Sequence, residues 1–358
     1  MTRRLADVAK YVGVSEATVS RVLNGRPGIS EATRTAVLTA LDVLGYERPT
    51  KLRGERARLV GLVLPELQNP IFPAFAEVVA GALAKRGFTP VLCTRTADGV
   101  SEADYIELLL DQHVSGVIFS GGNYAQGAAE HDHYHRLHER GLPAVLVNAA
   151  IDGLPFPRVS ADDAHAVDQA YGHLASLGHD RIGLILGPDD HVPSGRKLAA
   201  WHAARGRYGH GHGEPINGSG PGLVERTIFS MEGGHAAATR LMTRGATGLI
   251  CASDVLALGA IRAARRLGAS VPGDLSVVGY DDSLFMTCTE PPLTTVRQPI
   301  EAMGQAVVAL LVSEIAGNPV PADELLFEPE LVVRASTGPV REYAGDSWPD
   351  RQGVPALQ

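Results

Sequence analysis

Two patterns of apolar spacing divide the chain. Near the N-terminus, apolar positions recur every three or four residues, at Leu5, Val8, Ala9 and Val12 and then at Val19, Val22 and Leu23. This is the period of short amphipathic helices. Gly13 suits the left-handed residue of a tight turn. Ser15 and Ser30 stand where a hydroxyl can cap a helix start, and Glu31 follows where the helix dipole favours an acid. The spacing predicts helices near 7–11, over 16–23 and from 31 to Gly45, with Asn24-Gly25 ending the second. From Leu59 the pattern changes to short apolar runs at 59–65, 89–94, 115–120, 143–149, 181–187, 248–253 and 275–282, separated by helical stretches. Continuous runs of this kind fit strands buried on both faces, hence parallel sheets in an α/β body. The length of the body calls for two sheets, and a break near Pro155 to Val159 marks a first crossing between them.

Two helices joined by a glycine-containing turn and buttressed by a third make a helix-turn-helix. Its second helix is thin and polar on one side, so it fits a major groove. Arg21 can make a bidentate contact with guanine, while Ser15, Thr18, Ser20 and Asn24 can donate to phosphates. The alternative is a small three-helix surface unit with no ligand. Charge favours DNA. The chain of 358 residues carries a formal net charge of −8, yet residues 1–58 hold 11 basic and 6 acidic residues, a net of +5 against −13 for the rest. A basic head on an acidic body implies that only the head meets a polyanion.

Hydrophobic content of 45% and charged content of 20% describe a globular chain. Cys93, Cys251 and Cys288 are scattered and odd in number, which excludes a disulfide framework and fits a reducing cytosol. The N-terminus lacks an apolar signal-peptide core, and no run of about 18 apolar residues exists to span a membrane. A cytoplasmic protein without a membrane partner is expected.

The segment LADVAKYVGVSEATVSRVLNG, followed by ISEATRTAVLTALDVLGY, resembles the DNA-binding headpiece of lactose/galactose repressor (LacI-type) regulators. The resemblance implies that Glu16, Ala17 and Arg21 face base edges. It places Arg4, Ser15, Thr18, Ser20, Asn24, Ser30, Thr33 and Tyr46 near the DNA backbone. The family's hinge reads Tyr-x-Pro-Asn-x-x-Ala-x-x-Leu, and its leucine wedges into the minor groove. Here the segment is YERPTKLRGERARLVG: Pro49 comes one place late, the Asn and Ala are absent, and the stretch is about three residues short. Leu52, flanked by Lys51 and Arg53, is the candidate wedge; a plain basic linker tracking phosphates is the equal alternative.

The body is similar to the family's effector domain, itself like periplasmic sugar-binding proteins. The matching pieces are NPIF, HLASLGHDRIGLILGP, ASDVLALGAIRAARRLG, VPGDLSVVGYDD and PPLTTVRQP. The implied layout is a helix-turn-helix headpiece over 1–47, a hinge over 48–58, an effector-binding and dimerisation domain over 59–338, and a flexible tail over 339–358. Within the domain, one parallel-sheet lobe takes 59–157 and 299–319 and the other 158–298 and 320–338, with crossings near 158, 298 and 320. A small molecule binds in the cleft between such lobes.

The chemistry of that cleft follows residue by residue. Phe72 or Phe229 offers an apolar face to a sugar ring, although Phe72 also reads as ordinary core. Arg196 offers fixed donors to vicinal hydroxyls or a carboxylate. Asp281, just past a strand end, can accept two hydroxyl protons or cap a helix. By the family's pattern Arg196, Ser253, Asp281 and Asn148 are the polar contacts, and Phe72, Phe229 and Gln298 line the cleft. The glycine-rich stretch 205–222, with Pro215 and Pro221, argues against a long helix there.

Other chemistry is not supported. His131, His135 and His138 share a helical face with His133 behind, a spacing that can hold a metal, but no zinc-protease glutamate accompanies them. No P-loop, dinucleotide fingerprint or nucleophile elbow is present, so neither cofactor, metal nor catalytic residue is assigned. The small residues Ala257, Gly259 and Ala260 allow close packing, and the resemblance puts the 256–267 helix and the one around 75–83 on a dimer surface. The tail has no leucine heptads, so a homodimer reading near-palindromic double-stranded DNA is expected. The resulting function is a repressor controlled by a sugar. The alternatives are a solute-binding protein that delivers sugar to a transporter and a regulator of the same family that senses a non-sugar effector.

Overall fold

A computed structural model describes residues 5–23, 28–43, 58–95, 99–149, 153–209 and 222–341. The chain divides into two compact units, one ending at Leu59 and taking in Gly87–Thr89, the other holding Val60–Arg86 and continuing from Pro90.

The first unit contains α1 (Leu5–Val12), α2 (Glu16–Leu23) and α3 (Glu31–Val43). Val8, Ala9, Val19, Val22, Val37 and Ala40 are buried together, which is the helical spacing expressed as packing. Gly13 at φ +75° closes the first turn, and the amides of Gly13 and Val14 donate to Ala9 O at 2.9 and 3.0 Å. Ser15 Oγ accepts from Thr18 N at 3.1 Å and Ser30 Oγ from Thr33 N at 3.2 Å. Both serines are therefore N-caps. The second and third helices start where predicted and the first starts two residues earlier, at Leu5, while 44–57, including the expected hinge up to its last residue, lie outside the described residues.

The second unit is built from two six-stranded sheets. The first has β1 (Leu59–Leu64), β2 (Thr89–Thr94), β3 (Gly116–Ser120), β4 (Ala144–Val147), β5 (Arg158–Ala161) and β11 (Glu324–Phe327), in the order β2-β1-β3-β4-β5-β11. The second has β6 (Ile182–Leu186), β7 (Val224–Arg226), β8 (Gly248–Cys251), β9 (Ser276–Asp281), β10 (Thr294–Arg297) and β12 (Glu330–Val332), in the order β7-β6-β8-β9-β10-β12. The interior strands pair in parallel, for example Val60 with Gly116 and Leu184 with Ile250. β12 pairs antiparallel with β10. The helices α4 (Ile71–Ala84), α5 (Glu102–Asp111), α6 (Asp132–Glu139) and α11 (Ile300–Ile315) belong to the first lobe. The second has α7 (Asp163–Ser176), α8 (Val192–Tyr208), α9 (Met231–Thr243) and α10 (Asp254–Arg266).

The lobe boundaries need correction. β5 and β11 pair in parallel, Arg158 opposite Glu324 and Phe327 opposite Ala161, and close one edge of the first sheet. Segments 158–161 and 324–327 thus belong to the first lobe. The chain crosses at Asp162 and at Glu328-Pro329 rather than near 158 and 320; the crossing at Gln298-Pro299 falls as expected. Both misread strands are four residues long, and β11 has exposed Leu325 and Leu326, so neither shows the buried apolar run that marks an interior strand.

The helix α10 uses its small residues for close packing. Ala257, Gly259 and Ala260 are buried against α9 in the same lobe. A Cβ on Gly259 would run into the carbonyl of Met231, and one on Gly234 into the carbonyl of Leu256. The small residues serve this close crossing. The helix α8 continues to Tyr208, four residues into the glycine-rich stretch, and 210–221 lie outside the described residues.

Candidate DNA-reading face and effector cavity

On α2 the packing separates two sides. Val19 and Val22 are buried, whereas Glu16, Ala17 and Arg21 are exposed together with Ser15. Thr18 and Ser20 are half-buried between them. The three residues expected at base edges therefore share one accessible side. Ser15 Oγ lies 2.9 Å from Thr18 Oγ1, and Ser30 Oγ 2.8 Å from Thr33 Oγ1, so these hydroxyls hold the helix starts as well as facing outward. Arg4, Asn24, Tyr46, Lys51, Leu52 and Arg53 lie outside the described residues.

The cavity lies in the body, at the carboxyl ends of strands from both lobes, where α/β folds place ligands. Its volume is about 290 Å³. Phe72 lines it from α4, Asn148 from the end of β4, Phe229 from the loop after β7, Ser253 from the end of β8, Asp281 from the end of β9 and Gln298 from the second crossing. Six of the seven expected residues are thus brought together.

Arg196 is the exception. Its guanidinium forms a bidentate pair with Glu324 of β11, at 2.8 and 2.9 Å, and does not line the cavity. Lys197 does. A helix turns about 100° per residue, so a slip of one position changes the side that a residue presents. On α8 the buried residues are Pro193, Ser194, Lys197, Trp201 and Ala204. Counting back four from the inward Trp201 selects Lys197. Its ammonium pairs with Asp163 and sits 4.0 Å from the centre of the Tyr280 ring. Burial pushes the Asp163 carboxyl up, against the pull of Lys197.

A hydrogen-bonded chain connects the lobes at the cavity floor. Asn148 Nδ2 donates to Gln298 Oε1 at 3.1 Å, and Gln298 Nε2 to Asp281 Oδ1 at 2.7 Å. Asn69 Nδ2 reaches from the first lobe to Asp281 Oδ2 at 3.3 Å. Asn148 and Asp281 hold φ of +64° and +121°, a region that side chains rarely occupy and that concentrates at functional sites. Burial first, and then the carboxylate of Asp254, raise the pKa of Asp281. Asp254 itself rises to about 6 by burial, although Thr295 and Ser283 hydrogen-bond to it. Ser253 Oγ caps α10 by accepting from Leu256 N at 3.3 Å.

The mouth is bridged by backbone. Gln126 pairs with His191 across the lobes, and Gly127 N donates to Asp190 O at 2.8 Å. The His191 ring meets Phe229 edge-on, 5.3 Å between centroids, and its Nδ1 is 2.9 Å from Ser194 Oγ. Burial pulls its pKa down to about 4, with Lys197 and Arg226 adding to the effect. Asn69, His191 and Lys197 were not anticipated; the period of α8 alone could have revealed Lys197.

Among the histidines at 131–138, His133 serves packing. His133 is buried with its ring 4.0 Å from that of Tyr134, His131 Nε2 meets Asn123 O at 3.2 Å, and His135 and His138 are exposed. Burial pulls His133 down to about 4. The folded state keeps this ring neutral, while the unfolded chain protonates it near 6.5, so its contribution falls as pH drops from 6.5 towards 4. His133→Phe should therefore gain stability relative to the parent between pH 6.5 and 4, with a constant difference above 6.5. Urea denaturation of both at pH 8 and pH 5 measures this; an unchanged difference would refute it.

Both parts of the chain match known proteins. The family model for bacterial regulatory proteins of the lacI family matches residues 4–49, and that for a periplasmic binding protein-like domain matches 171–337. The HTH-type transcriptional regulator reg1 of Streptomyces lividans is 52% identical over 338 residues, 94% of this chain and 97% of its own. The chain therefore belongs to the lacI family of bacterial transcriptional regulators. Among solved structures, a complex of the transcriptional regulator CelR with cellobiose superposes with a TM-score of 0.68 at 34% identity, covering 93% of this chain and 99% of that one. A lac repressor dimer bound to operator and the anti-inducer ONPF superposes with a TM-score of 0.68 at 29% identity, covering 94% and 100%. Among the described residues no helix is long and apolar enough to cross a membrane.

Proposed function

We propose that this protein is a cytoplasmic transcriptional repressor, without catalytic activity, that grips a near-palindromic operator as a homodimer and is controlled by a sugar bound between the lobes of its body. The exposed row Glu16, Ala17 and Arg21 on α2, opposite its buried valines, carries the reading. A helix with that division can rest on its own core and present side chains to a major groove. The complex of CelR with cellobiose supports a sugar as effector. The operator-bound lac repressor dimer supports the assembly.

Selection of genomic fragments on the full-length protein tests the DNA reading. One fragment should bind far above random DNA, with affinity falling steeply as salt rises and counterions are retained on the phosphates. Arg21→Ala should weaken that fragment by about 1–3 kcal/mol and random DNA much less, as expected for a lost base contact. Equal losses on both would make Arg21 a phosphate contact. No preferred fragment would overturn the repressor reading.

A further inference from the structure

Given a sugar effector, as proposed above, we infer that the cavity takes an uncharged sugar and discriminates against phosphorylated and carboxylated ones. The cations that line it are Lys197 and Arg95. Lys197 is committed to Asp163, both side chains being 7% exposed. Drawing the ammonium towards a ligand anion would strand a buried carboxylate, which is more costly than the new contact is favourable. Arg95, exposed at the mouth, donates to Asn123 Oδ1 at 2.8 Å. The lining acids are Asp163, Asp281 and Glu66. Glu66 is half-buried and has no hydrogen-bond or ion-pair partner among the described residues. An anion entering the cavity thus meets an unpaired carboxylate and no unpaired buried cation.

Helix starts, the other common seat for phosphate, are also occupied. Asn69 Oδ1 accepts from Ile71 N at the start of α4, at 3.3 Å. Asp162 Oδ1 accepts from Ala164 N and His165 N at the start of α7, at 2.9 and 3.0 Å. Ser253 closes α10 in the same manner, and Pro193 removes a donor from the first turn of α8. The cavity offers instead what an uncharged sugar uses: carboxyl and amide oxygens for hydroxyl protons, with Phe72 and Phe229 as apolar faces from opposite lobes.

Thermal denaturation of the full-length protein with matched ligands tests the inference. The neutral set is glucose, cellobiose, maltose and trehalose; the charged set is glucose 6-phosphate, trehalose 6-phosphate and glucuronate. At least one neutral sugar should raise the Tm in a concentration-dependent way, with the charged set at least tenfold weaker. In Glu66→Gln the ratio between the sets should narrow at least threefold. A phosphorylated or carboxylated sugar that binds as well as the best neutral one would overturn the inference and leave the sugar reading standing. A shift from purines or nucleosides, or from nothing, and from no sugar of either set, would overturn the sugar reading and this inference with it.

Discussion

Lys197→Met should destabilise the body by about 3–5 kcal/mol, the range for removing one partner of a buried ion pair. The reason is the carboxylate left behind. Asp163 is 7% exposed and stands at the first position of α7, and its charge is compensated by the ammonium it would lose. The methionine fills similar volume, so the loss is electrostatic rather than a cavity effect. Replacing both partners, Lys197→Met with Asp163→Leu, should recover most of the loss, because an apolar pair of like volume no longer requires compensation. Arg196→Ala is the contrast. Its side chain is 30% exposed in the pair with Glu324, and pairs of that exposure contribute on the order of 1 kcal/mol or less. Urea unfolding followed by Trp201 fluorescence ranks the three variants. A larger loss from Arg196→Ala than from Lys197→Met would mean that the inward residue of α8 has been misassigned.

The same pair of residues shows where sequence reading stops. The stretch before Trp201 carries the family resemblance, and two adjacent cations stand in it; only the burial stripe of α8 separates them. The headpiece was legible in detail because its signals are local: Ser15 and Ser30 cap, Gly13 turns, and the valines mark one side. Interior strands such as β3 and β6 were legible because every residue in them is buried. The strands β5 and β11 were not: β5 is an interior strand whose Arg158 and Ser160 break the apolar run although most of it is buried, and β11 is a half-exposed edge. The cavity floor was half-legible. Asp281 and Gln298 follow strand ends, but Asn69 meets Asp281 across 212 positions of sequence, and no local pattern encodes such a pairing.

Val19→Asp should abolish specific DNA binding while leaving the body intact. The core of the first unit is small: among the described residues Val8, Ala9, Val19, Val22, Val37 and Ala40 are its buried apolar residues, and Val19 is fully buried. A unit of this size has a margin of roughly 3–5 kcal/mol. A carboxylate among valines has no partner for its charge, and its burial costs several kcal/mol even after local relaxation. The helices α1, α2 and α3 should then lose their common packing, and with it the exposed row on α2. Affinity for the selected fragment should fall by at least about a thousandfold, to the non-specific level or below. Sugar-induced stabilisation should persist, because the cavity is lined entirely by residues of the second compact unit. Fluorescence anisotropy on the fragment and thermal denaturation with the best sugar measure the two effects on one preparation. Retention of specific binding within tenfold would show that the headpiece core tolerates the charge. Loss of the sugar response would show that the units do not act separately. Loss of DNA binding with the sugar response preserved assigns the two functions to the two parts of the chain.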